Sequence, residues 1–190
     1  MSKTWADARF GQLTFEEFYW STRIAVPAFA VYSYRPEFAL EILPDGECEL
    51  EMHIREDYTE NPPLPLPELC AVVERVLQNQ SLLAPAVATA LWKEFEGSGP
   101  RSGMWWHGNI PLLMEHSNPS LPPLDGPDAI YSLLRLVSVE GRPRGPGYRD
   151  PLVTLTFDAE FDEEHGIGVL TDGDSVVGIG YGGDPSPFAR

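Results

Sequence analysis

The chain has 190 residues and 21.1 kDa, with 43% hydrophobic and 22% charged residues, enough for one domain spanning 1–190 with a real core. Its 13 Lys and Arg stand against 29 Asp and Glu, a formal charge of −16. That field repels nucleic acid and anionic membrane and favours basic partners. Five Trp, seven Tyr and nine Phe argue against disorder.

The first ten residues carry Lys3, Asp7 and Arg9 and lack a signal peptide's apolar run, and no stretch is apolar enough to span a bilayer. A cytoplasmic protein is expected. Cys48 and Cys70 match no zinc or redox spacing and read as buried structural thiols.

Phe10–Phe15 and Tyr19–Val26 read as a strand, a turn and a second strand ended by Pro27. Phe38, Leu40 and Ile42 alternate with Glu37, Ala39 and Glu41. After Pro44-Asp45-Gly46, Cys48, Leu50, Met52 and Ile54 alternate with Glu47, Glu49, Glu51 and His53. Alternation on both sides of an Asp-Gly turn predicts a hairpin. Pairing Leu43 with Glu47 sets Glu41 opposite Glu49, an unfavourable like-charge ladder on the solvent face. Such a ladder, Glu41, Glu47, Glu49 and Glu51, reads as a surface for a basic partner.

Asn61–Pro67 is an extended, proline-rich connector, read as a stiff linker ahead of a ligand for a proline-recognising domain. Glu68–Asn79 places Leu69, Val72, Val73, Val76 and Leu77 on one helical stripe. Ser81 then caps a helix over Leu82–Phe95, with Pro85 in its first turn and Gly97 past its end. Residues 97–126 show no periodicity and read as a long functional loop or lid. Pro127 opens a short helix to Leu134, and Leu134–Glu140 becomes a strand. Val153–Phe161 alternates, Asp162–Gly166 turns, Ile167–Leu170 returns, and Asp172-Gly173 leads into Val176–Tyr181. The tail after Gly182 is expected to fray. Strands, then helices, then strands give an α+β fold: a mostly antiparallel sheet from the N- and C-terminal strands, with a central helical pair packed on it.

Few motifs carry chemistry. Asp158, Glu160, Asp162, Glu163, Glu164 and His165 form the densest polar cluster. It lacks EF-hand spacing, no His-Glu-x-x-His exists, and His53, His107 and His116 stand in segments of their own. No metal and no cofactor are assigned. Glu164-His165-Gly166 closes a tight turn instead, Gly166 supplying a special backbone angle and His165 bonding a carbonyl. There is no Gly-x-Ser-x-Gly elbow, and Gly178–Gly183 leaves a strand without entering a helix, so it is no phosphate cradle. Trp105 and Trp106 either fill a core edge or present an exposed anchor, as tryptophans at binding hot spots do.

Phe161-Asp-Glu-Glu-His-Gly-Ile-Gly-Val169, an Asp-Gly turn and Val176-Val-Gly-Ile-Gly180 resemble the closing segment of a family of bacterial domains of unknown function. Its members end in Trp-Asp-x-Glu-His-Gly-Leu-Gly-Val, so Phe161 here replaces a Trp. Phe10-Gly-Gln-Leu13, Trp20 and Gln78-Asn79 at the helical joint are similar too. The resemblance implies no catalytic residues. It implies a small acidic protein of a kind suspected to confer immunity to secreted bacterial toxins.

The expectation is therefore a non-enzymatic, acidic immunity protein that neutralises a basic toxin stoichiometrically. Glu41, Glu47, Glu49, Glu51, Trp105, Trp106, Asp162, Glu163 and Glu164 are its candidate partner-binding residues. The alternative is a structural or housekeeping interaction module without a toxin partner. A metal-dependent hydrolase using Asp162, Glu164 and His165 stands third.

Overall fold

The structure is a computed structural model that describes residues 3–36, 42–54, 61–100, 102–117 and 123–188. Nine strands form one sheet in sequence order: β1 (Thr4–Asp7), β2 (Gly11–Glu16), β3 (Tyr19–Ala25), β4 (Glu47–His53), β5 (Leu134–Arg142), β6 (Leu152–Ala159), β7 (Ile167–Thr171), β8 (Val176–Gly180) and β9 (Ser186–Pro187). Every neighbouring pair is antiparallel except β4 and β5, which run parallel. A parallel pair needs a long crossover. This one contains α1 (Pro67–Gln78), α2 (Gln80–Glu96), α3 (Ile110–His116) and a 3-10 helix over Pro127–Ser132. Another 3-10 helix, Pro27–Val31, follows β3 at the expected Pro27. The α+β expectation holds.

One face of the sheet carries the core. Trp20, Leu50, Met52, Val139, Leu155 and Phe157 are buried there with Leu69, Val73 and Val76 of α1 and Leu83, Val87 and Leu91 of α2. Helix α1 can lie close because β5 has glycine at 141: a Cβ there would stand 2.9 Å from Val73 Cγ2 and 3.1 Å from Leu69 Cδ1. Cys48 and Cys70 are free, buried thiols. Burial pushes the Cys48 thiol up to about 12.

Several expectations change. The first arm of the predicted hairpin, Phe38 to Glu41, lies outside the described residues. Strand β4 itself is paired on both sides by other strands: Glu47 faces Ala25, and Glu49 faces Arg23 on β3 and Ser138 on β5. Glu49 therefore has a guanidinium-bearing residue, Arg23, directly opposite it, a favourable pairing of charges. Asn79 rather than Ser81 precedes α2, which begins at Gln80, so Pro85 falls inside the helix instead of its first turn. Gly97 ends α2 in the left-handed conformation, as expected. The stretch read as irregular holds α3, started by the Asn109 side chain accepting from the Leu112 amide at 3.4 Å. The tail does not simply fray, because β9 pairs with β8.

Candidate functional site

Alternation gives β4 two faces. Cys48, Leu50 and Met52 point into the core, while Glu47, Glu49, Glu51 and His53 point to the face without helices. The strand registers extend this into rows across the sheet. One row runs Ser21, Glu51, Glu140, Thr154; the next runs Tyr19, His53, Arg142, Leu152 by register; a third runs Arg23, Glu49, Ser138, Thr156.

The row through Glu51 and Glu140 sets two carboxylates on neighbouring parallel strands, an arrangement that costs free energy without compensation. Glu140 is 8% exposed. Its Oε1 accepts from Ser138 at 2.8 Å and Thr156 at 2.7 Å, and its Oε2 accepts from Arg142 at 2.9 Å. Burial pushes this carboxyl up, but the donors Thr156, Arg142 and Ser138 outweigh it and hold it below its ordinary range. Glu140 is thus a buried carboxylate. Glu51 lies beside it, with Oε2 3.3 Å from His53 Nε2. The Tyr19 ring packs on His53 at 5.2 Å between centroids, and burial with the neighbouring Glu51 raises the Tyr19 phenol.

Glu51, His53 and Glu140 each place one ligand atom within 4.8 Å of the others. The His53 nitrogen facing Glu51 is shut from solvent without hydrogen-bond geometry, and Thr154 Oγ1 across from Glu140 is equally unpartnered. This cluster escaped sequence reasoning because Glu140 comes from the far end of the chain. The usable signal was polar residues at Ser138, Glu140 and Arg142 alternating with Val139 and Gly141 in a strand.

At the other end of the same face, a bulge between Leu136 and Ser138 leaves Val137 38% exposed. A cavity of about 210 Å³ opens beside it, lined by Arg23, Glu47, Glu49, Arg135, Val137 and Asp158. Burial raises the Asp158 carboxyl against the pull of Arg135, whose own guanidinium is lowered chiefly by burial. Arg135 donates to the Leu43 carbonyl.

Of the residues expected to bind a partner, Glu47 and Glu49 are exposed and Glu51 is half-buried on this face. Glu41 lies outside the described residues. Trp106 is 0% exposed, packed against Trp105, Phe161 and Tyr181, so it is core and not an anchor. Trp105 is half-buried and also engaged: its indole donates to Asp162 Oδ2 at 3.1 Å and its ring packs on His116 and Phe161. Large rings gain most by burial, and an adjacent pair in a loop that caps the helix end has the core edge at hand.

Asp162 is consumed by this packing. Its Oδ1 accepts from the His165 amide and lies 2.9 Å from His165 Nδ1. The imidazole is held above its ordinary range by that carboxylate, and it bonds a side chain rather than the expected carbonyl. Gly166 has φ +61°, and a Cβ there would lie 2.4 Å from the Phe157 carbonyl oxygen, so the tight turn needs glycine as predicted. Glu163 and Glu164 are exposed, Glu163 accepting from the Tyr34 hydroxyl. Asp158, on β6, is the cross-strand partner of Arg135, and Glu163 of the turn adds to the burial that raises its carboxyl.

Among the described residues, no helix is long and apolar enough to cross a membrane. No protein-family model, curated protein or solved structure matches the chain.

Proposed function

We propose that this chain is a non-enzymatic binding protein of the immunity type, holding a basic protein partner stoichiometrically on the helix-free face of its sheet. The observation that carries the reading is the edge of that face formed by Glu47 and Glu49. Both are exposed, and they border a cavity next to the protruding Val137. Exposed carboxylates steer a cationic partner and set its register, while an apolar side chain beside a cavity supplies area that can be desolvated. The charge of −16 supports the same reading at long range. Trp105 and Trp106 are no part of it.

Glu163 and Glu164 form a second acidic edge beyond the β6–β7 turn. Acidity alone would not distinguish the two edges. The cavity and Val137 favour the first.

The test is charge reversal of the exposed pair. Tagged protein is used to recover partners from its own cells at low salt, with elution by rising salt. The wild type is expected to release a basic protein in equimolar amount. Glu47→Lys with Glu49→Lys is expected to slow association at least tenfold and flatten its salt dependence; a Lys opposite Arg23 lowers the melting midpoint somewhat, and circular dichroism verifies that the fold is kept. Unchanged association in the double variant would remove this face as the interface.

A further inference from the structure

The geometry points to a divalent transition-metal site of the zinc class on the helix-free face, with Glu51, His53 and Glu140 as its protein ligands. This goes beyond the binding function proposed above and does not depend on it.

The three ligand atoms already lie within 4.8 Å of one another. A tetrahedral ion with bonds of about 2.0–2.1 Å holds its ligands about 3.3–3.4 Å apart. The separation of Glu51 Oε2 from His53 Nε2 is 3.3 Å. The pair is close enough for an ion pair but makes no hydrogen bond, and His53 Nε2 has no hydrogen-bond partner among the described residues although solvent does not reach it. A buried imidazole nitrogen beside a carboxylate, making no hydrogen bond to it, suits two ligands of one cation.

Two further features are independent of these distances. The Glu51–Glu140 pairing places like charges side by side in the middle of a sheet, and a cation between them removes the repulsion. Thr154, 1% exposed and next to Glu140 in the same row, has an Oγ1 without a partner. A buried hydroxyl left unsatisfied is costly, and it can serve a metal-bound water.

The surroundings are those of an oriented ligand. Ser138 and Thr156 fix Glu140 Oε1, as outer-shell donors fix metal-binding carboxylates. Arg142 is the competing cation, 2.9 Å from Glu140 Oε2. A carboxylate has about four lone-pair sites, so guanidinium and metal can share it. Arg142 lowers the affinity expected of two carboxylates and an imidazole without closing the site. One nitrogen and two oxygens favour zinc-class ions over Ca²⁺ or Mg²⁺, which take six or more oxygens. Three protein ligands leave the fourth position open to water or to a group from another molecule.

Metal-stripped protein is titrated with Zn²⁺ at neutral pH, by calorimetry and by melting, with Co²⁺ as an optical stand-in. The wild type is expected to bind one equivalent, with a midpoint rise of roughly 5–10 °C at a hundredfold excess over Kd. A visible tetrahedral Co²⁺ spectrum should accompany it. His53→Asn and Glu51→Gln are partly exposed positions whose fold circular dichroism can verify, and each should weaken binding at least about tenfold. His165→Asn should bind as wild type does, and Ca²⁺ or Mg²⁺ should leave the midpoint unmoved. Glu47→Lys with Glu49→Lys keeps all three ligands and should retain the metal, which separates this result from the partner test. An unmoved midpoint with no Co²⁺ spectrum would overturn the site. So would binding undiminished in both His53→Asn and Glu51→Gln, or loss of binding in His165→Asn, which would move the ion to the Asp162 turn.

Discussion

Glu94 is a carboxylate with no solvent exposure, placed in the last turns of α2. Its Oε1 accepts from the Ser102 amide at 3.0 Å and from the Ser102 hydroxyl, and it lies 2.9 Å from His107 Nδ1. Its main-chain oxygen accepts from the Gly97 and Gly108 amides. One residue therefore gathers the chain on both sides of Trp105 and Trp106 and holds the tryptophans against Phe161. Truncating it strands the donors of Ser102 in a buried place, which is more costly than the net worth of the bonds. Glu94→Ala should cost about 1–3 kcal/mol in urea unfolding. Glu94→Gln, which keeps an acceptor, should cost less. The quenching or shift of tryptophan fluorescence should track the same order.

Among the elements, the contact of α1 with β5 is set by the absence of a side chain at Gly141. Adding a methyl group brings it within 2.9 Å of Val73 Cγ2, and valine in a helix has little χ1 freedom to retreat. Gly141→Ala should lower stability by about 1 kcal/mol or more through overpacking, read as a fall in melting midpoint. Elements of this kind were largely legible. Strands β2, β3, β6, β7 and β8 and helices α1 and α2 follow from alternation, from apolar spacing and from Gly97, because these are local signals. Partnership was not legible. The Asp45-Gly46 turn draws Glu47–His53 toward the residues just before it, yet β3 offers Arg23, Ser21 and Tyr19 to Glu49, Glu51 and His53. Helix α3 was missed although Asn109 followed by Pro111 is a start signal, because seven residues are too few for a periodic stripe to emerge. The same limit hid the Glu51–His53–Glu140 cluster. Each residue's strand face could be read, but the meeting of β4 with β5 is a property of the crossover.

For the whole molecule, that crossover divides the sheet into two antiparallel halves, β1–β4 and β5–β9, which meet in the sheet at the parallel contact of β4 with β5. Contacts within each half are between chain neighbours, whereas residues 54–133 intervene at the joint. Closing so long a loop is slow relative to forming hairpins. In chevron measurements, Leu155→Ala in the β6–β7 pair should slow folding, with a φ-value above about 0.5. Val139→Ala, which removes packing on Leu155 within its own half and on Leu50 across the joint, should give a lower φ than Leu155→Ala. The reverse order would show that the joint nucleates the sheet.

Synthesis gives that joint a different meaning. When β4 leaves the ribosome, β3 is already present to occupy one of its edges, but β5 follows only after the whole helical crossover has been made. During that interval the other edge of β4 has bare amides and carbonyls, next to Leu50 and Met52, the kind of surface on which chains stick to one another. Every second residue there is Glu47, Glu49 or Glu51. Three like charges on so short a strand repel a second copy of the same nascent segment, so these glutamates guard the unfinished protein against self-association before the finished one has a surface to offer.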